Sequence, residues 1–131
     1  MIVSLHVATG AAAGALLDSR IAALAVGPLL HIAGDRIPHE DLHSRPFEIA
    51  CGAGGIALLA LVRGPLDPAT LGAISATVPD AEHLFRLPRP HGRKLFPSHR
   101  FPGWHREGSV LPARVQLAAA AVLLGIVLAR S

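Results

Sequence analysis

Apolar residues in this chain fall into five stretches, 1–17, 21–35, 46–62, 68–78 and 112–129, each bounded by a proline or a short polar break. That division constrains the fold more than any other feature. Asp18-Ser19-Arg20 is too short for anything but a tight helix–helix turn, so the first two stretches are antiparallel neighbours. Pro38 lacks an N–H and clashes with the carbonyl four residues back, which ends the second helix near Arg36. Pro46 suits the start of a third helix, where its missing N–H costs nothing. Arg63-Gly64-Pro65 breaks that helix, and Asp67-Pro68 reads as an N-cap followed by a first-turn proline. The expectation is one all-α domain over residues 1–131, a bundle of about five short helices with a long polar loop at 86–110.

Composition places the bundle in a bilayer. The chain is 51% hydrophobic and 16% charged, has no Tyr, and has a mean hydropathy of +0.47. Abundant Ala and Gly let helix backbones approach closely, and Gly10 and Gly14 form a GxxxG face in the first helix. No basic segment precedes the first apolar stretch, so it reads as a retained helix and not a cleaved leader. The second helix, at roughly 22 Å, is short of the ~30 Å hydrocarbon core and spans only with local thinning. The single Cys51 excludes a disulfide framework and a zinc ribbon. Although the pI is 10.4, the basic residues gather in one loop, which argues for membrane orientation and against nucleic acid as a partner.

Imidazoles and carboxylates collect at helix ends. His31 and Asp35 are four apart, on one helix face about 6 Å apart along the axis, and both can reach one ion. Beyond Pro38 the chain turns His39 and Asp41 back over that helix end. The fourth helix ends in Val78-Pro79-Asp80-Ala81-Glu82-His83, where Asp80 and His83 share a face if helical geometry resumes after the proline. The loop adds His91, His99 and His105 among prolines and basic residues. Glu48, near the start of the third helix, is expected to pair with a basic group or cap backbone donors. With five spans, all eight histidines, Asp35, Asp41 and Asp80 fall on one side. Nine of the twelve basic residues fall there too, leaving only Arg20, Arg63 and Arg130 opposite. By the positive-inside rule the histidine side is cytoplasmic, in a multi-pass inner-membrane protein.

The order of an early His, then His31-x-x-x-Asp35-x-x-Pro38-His39-x-Asp41, then Val78-Pro79-Asp80-x-x-His83, then Phe96-Pro97-Ser98-His99-Arg100 resembles the small bacterial membrane-bound metal-dependent hydrolases over most of the chain. That resemblance nominates His6, His31, Asp35, His39, Asp80, His83 and His99 as a metal shell, similar in ligand type to zinc-dependent phospholipases C and nucleases of the P1 class. Asp41 joins the shell on its spacing from His39. The sequence departs from the family pattern at Glu82-His83, where related chains often carry a second acidic residue before the His.

Imidazole and carboxylate without thiolate suit zinc, with manganese or iron as alternatives, and more than four ligands point to one or two ions. An open coordination position activates water near neutral pH. Glu82 and Glu40, each adjacent to proposed ligands, are the candidate general bases. Arg93, Lys94 and Arg100 are positioned to bind a phosphate, which makes a phosphoester among membrane lipids the expected substrate. Two other classes stay open: a structural metal or polar cluster in an interaction protein, and a path for protons or metal ions. The second would need polar residues on both faces, and the side opposite the histidines has few.

Overall fold

The computed structural model describes residues 1–85, 87–108 and 110–130, so Arg86, counted above among the basic residues, lies outside the described residues. The chain is all-helical: α1 (Val3–Leu17), α2 (Arg20–Asp35), α3 (Arg45–Arg63), α4 (Pro68–Thr77), the one-turn α5 (Ala81–Leu84) and α6 (Pro97–Arg100), and α7 (Ala113–Ala129). The five long helices fall on the five apolar stretches. Their starts are set as the sequence dictates: Ser19 accepts from the Ala22 N–H at 3.3 Å, and Asp67 accepts from the Ala69 N–H at 2.8 Å ahead of Pro68. Pro46 lies in the first turn of α3.

Helix α1 is the axis of the bundle, packed by α4, α2, α7 and α3. Small residues make this possible. A Cβ at Gly10 would lie 2.3 Å from the Gly72 carbonyl oxygen, and one at Gly14 would lie 2.0 Å from that of Pro68, so the GxxxG face seats α4 by backbone contact. At Gly27 a Cβ would meet the Ser75 hydroxyl at 2.0 Å, and that hydroxyl donates to the Ala23 carbonyl at 3.0 Å, locking α2 to α4. Val7, Ala11, Leu59, Ala69, Ala73 and Val127 form the core away from the histidines. Ile2, Leu5, Ala8 and Ala120 form a second cluster near the start of α1.

The outer helices turn apolar side chains outward. Only Gly52 and Leu59 are buried on α3, and Leu61 is 84% exposed. Among the described residues α3, 19 residues long, is the one helix long and apolar enough to cross a membrane; α1 and α7 are apolar but shorter.

The histidine-bearing ends of α1 and α2, the end of α4 that leads to Asp80, and the loop meet at one end of the bundle. Pairing of the backbone stitches the loop to the segment after α2: His39 N–H donates to Arg106 O at 3.1 Å, Gly108 N–H to His39 O at 2.9 Å, Leu111 N–H to Pro38 O at 3.1 Å, and Arg106 N–H to Asp35 O at 2.9 Å. Gln116, buried on α7, closes the same end. It accepts from the Ile2 N–H at 3.0 Å and donates to Glu40 O and Leu111 O at 2.8 and 3.0 Å. Glu48 caps α1, accepting the Val3 N–H at 2.9 Å.

Candidate metal centre

His31 and Asp35 stack along the last turns of α2, with His31 Nε2 3.1 Å from Asp35 Oδ2. Two further groups arrive from elsewhere in the chain. Pro79 bends α4 into a single 3₁₀ turn that delivers Asp80, and Pro97 starts the short α6 that carries His99. His31 Nε2 lies 3.6 Å from Asp80 Oδ1, and His99 Nε2 lies 3.5 Å from Asp35 Oδ2 and 3.7 Å from Asp80 Oδ1. Four ligands held at about 2.0–2.1 Å around a tetrahedral ion are separated from one another by roughly 3.3 Å. The four distances bracket that edge.

Three of the converging atoms, His31 Nε2, His99 Nε2 and Asp35 Oδ2, are buried with no hydrogen-bond partner, as is Asp80 Oδ2, the other oxygen of the fourth group, a costly state that a cation would relieve. The opposite ring nitrogens, by contrast, are tied down. His31 Nδ1 donates to the Ala76 carbonyl at 2.8 Å, near the point where Pro79 has no N–H to return to α4. His99 Nδ1 donates to Glu82 Oε1 at 2.7 Å, and the second Glu82 oxygen accepts the Leu95 N–H at 2.8 Å. A histidine whose outer nitrogen is fixed by a carbonyl or carboxylate, leaving the inner one bare, is the usual arrangement around a metal. Burial works against ionisation of Glu82, but the Leu95 N–H and the His99 ring outweigh it and hold the carboxyl below its usual range.

A second grouping shares Asp35. Asp35, His39 and His105 present ligand atoms within 4.8 Å of one another. His105 Nδ1 is 3.5 Å from Asp35 Oδ2, and Asp41 is 3.2 Å from His39 and 3.8 Å from His105. His39 Nδ1 is fixed by the Ile37 carbonyl at 2.7 Å. The Met1 amino group sits in this grouping, 2.8 Å from Asp35 Oδ1 and against His39 Nε2. Flanked first by Asp35 and then by Asp41, the His105 ring is pushed up to about 9. The hydrogen bonds from His105 and His39 hold Asp41 well below the usual carboxylate range. Burial pushes the Asp80 carboxyl up, and burial with the neighbouring His99 lowers His83 to about 4.

The sequence-nominated residues are thus divided. His31, Asp35 and His99 form one grouping, which half-buried Asp80 joins through His31 and His99; His39 belongs to the second grouping, and Asp41 meets it through His39 and His105. His6 stacks on His31 at 3.8 Å between ring centroids and reaches Asp35 at 3.1 Å. His83 stands at the exposed rim, its ring 4.3 Å from that of His99. Glu82 has both oxygens engaged, and Glu40 is exposed with its carboxylate 3.4 Å from the Ala113 N–H. Lys94 and Arg100 line a cavity of about 920 Å³ that opens onto the centre, whereas Arg93 does not line it. Arg45 lines it as well and donates to the His83 carbonyl at 2.7 Å.

Two residues were not legible in the sequence. His105 sits in the same proline- and arginine-containing loop as His91, and only the pairing of Arg106, Gly108 and Leu111 with residues 35–40 brings it to Asp35. Gln116 is an isolated amide in an apolar helix with no motif around it.

Fold and site together define an all-helical chain with a buried His/Asp cluster able to hold a metal ion. No family model, curated protein or solved structure matches it significantly.

Proposed function

We propose that this chain is a membrane-embedded metal-dependent hydrolase that cleaves a phosphoester at the histidine-bearing end of its bundle, as the resemblance to the small bacterial membrane-bound metal-dependent hydrolases implies. One observation carries the metal part of the reading. Two histidine nitrogens stand 3.1–3.7 Å from oxygens of Asp35 and Asp80, with both nitrogens and the Asp35 oxygen buried and unsatisfied and the far side of each ring anchored. The donor set of imidazole and carboxylate favours zinc, ahead of manganese or iron. Asp35 belongs to both groupings and would be among the residues holding an ion in either.

A bound divalent ion there supplies Lewis acidity and lowers the pKa of water. The chain's own residues do the rest. Glu82 holds His99 in one orientation, and His31 is held by Ala76, so neither ring has to reorganise. Lys94 and Arg100, with Arg45 beside them, supply positive charge at the cavity for the phosphoryl oxygens. Water forms the new P–O bond as the ester P–O bond breaks, and the alcohol leaves with a proton. The open cavity favours this over a purely structural ion, which is normally closed in by its ligands.

Membrane placement rests on the outward-facing apolar side chains. In water an apolar helix as little buried as α3 would expose a large contiguous patch, with Leu58, Leu61 and Val62 among its exposed residues. In lipid that face is satisfied. The bundle then sits in the bacterial inner membrane with its histidine end cytoplasmic.

The test is elemental analysis of protein purified in mild detergent, with turnover measured on a panel of phosphoesters. One or two transition-metal ions per chain are expected, lost in a His31→Ala, Asp80→Ala double variant. Metal content near zero overturns the reading. Chelation that melts the protein, with no substrate turned over, leaves the ion structural.

A further inference from the structure

The cavity that opens onto the metal centre is amphipathic. At one end stand Asp80, His99 and His105, with Arg45, Lys94 and Arg100. The other end is walled by Ile49, Gly52, Ala53 and Ile56 of α3, by Ile74 of α4 and by Val78 just beyond it. A phosphate-sized substrate needs only the first end. The apolar limb exists because of small residues: a Cβ at Gly52 would come 2.5 Å from the Val3 side chain, so glycine there lets α3 lie against α1 while Ala53 leaves the wall toward α4 open. Of the carboxylates at the polar end, Glu48 is engaged by the Val3 N–H, and Asp41 by His39 and His105. Glu107 lines the cavity as well, grouped with Asp41 and His105, so three basic side chains and the centre itself stand with these acids at the charged end.

We propose that this limb, between α3 and α4, binds the hydrocarbon chain of a phosphate-headed amphiphile whose head lies at the metal centre. The proposal rests on the hydrolase reading for the role of the head and on the cavity walls for the chain. At about 920 Å³ the cavity is near the upper end of the range for small-molecule sites, more than a headgroup fills. Ala53, one of its α3 wall residues, is itself exposed, which gives a bilayer lipid a side of entry.

The experiment measures binding, so it does not depend on turnover. Zinc-loaded protein in lipid nanodiscs is titrated with inorganic phosphate and with butyl, hexyl and octyl phosphate. Each methylene taken from water strengthens binding roughly three- to fourfold, so butyl to octyl should gain on the order of a hundredfold in the wild type. Partition of the probes into the nanodisc is common to all variants and cancels in the comparison. Ala53→Phe, from an exposed position on α3, fills the limb and should flatten the series while leaving inorganic phosphate binding unchanged. Ile74→Phe, from the opposite wall, should do the same if the first variant folds poorly. Equal chain-length dependence in wild type and both variants overturns the proposal and leaves the metal-dependent hydrolase reading intact. A steep wild-type series that Ala53→Phe flattens, with phosphate binding indifferent to chelation, supports the chain site and overturns the metal's role instead.

Discussion

Glu82→Gln separates two roles for the same carboxylate. As a general base it would be dispensable for metal binding, and the variant would keep its ion while losing turnover. The geometry assigns it otherwise. One oxygen accepts from His99 Nδ1 at 2.7 Å and the other from the Leu95 N–H at 2.8 Å, and the side chain is 2% exposed. A glutamine offers one acceptor oxygen and a donor amide, so it can satisfy only one of the two N–H groups and turns its NH₂ toward the other. The lost bond is charge-assisted, the kind that contributes about 1.5–3 kcal/mol. Part of that loss falls on folding of the 95–99 segment and part on the orientation of His99. Loss of such a supporting partner typically lowers metal affinity about 10–100-fold, which is about 1.4–2.7 kcal/mol. A zinc titration against a competing chelator reads this directly, with melting curves of the metal-free protein giving the folding share. Glu40→Gln is the control, because its carboxylate is exposed and makes only a 3.4 Å contact with the Ala113 N–H. A zinc affinity within about threefold of wild type in Glu82→Gln, together with abolished hydrolysis, would refute the positioning argument and restore the base.

Three further outcomes follow from the same contacts. Gly14→Ala places a methyl 2.0 Å from the Pro68 carbonyl oxygen and should destabilise by at least the upper end of the ~1–3 kcal/mol range for overpacking. Gly54→Ala, with nothing within 4 Å, should be neutral or stabilise by up to ~1 kcal/mol; equal melting points for the two would sink the backbone-contact account. In metal-free protein His105 is raised from 6.5 to about 9, so its contribution to stability is complete below 6.5 and is lost as pH rises through 9. The melting temperature should therefore fall between those values, and His105→Asn should reduce the fall; with zinc present the proton is a competitor and affinity should instead rise with pH. Finally, a reporter fused after Arg130 should be active on the side opposite the histidines, as five spans require, and activity on the cytoplasmic side would contradict that count.

The one-dimensional pattern determined the helices. Prolines and polar breaks are local chemistry: Pro38, Pro46, Asp67-Pro68 and Pro79 act within a turn of where they stand, so the five long helices could be read directly, whereas the one-turn α5 and α6, the latter inside the expected loop, could not. The close approach of α1 to α4 was half legible, since Gly10 and Gly14 announce a small-residue face but do not name its partner. Pairing within the site was another matter. His31 with Asp35 follows from helical spacing alone, yet what distinguishes a metal centre from a buried ion pair is which atoms lack partners, and that depends on contacts made across 45 residues, from His31 to Ala76. Glu82 looked like a spare acid beside a ligand because nothing in a sequence shows that both its oxygens are already taken. His105 entered the cluster, and His91 did not, through backbone pairing between two irregular segments. Such pairing carries no side-chain periodicity, so only the tertiary structure could decide it.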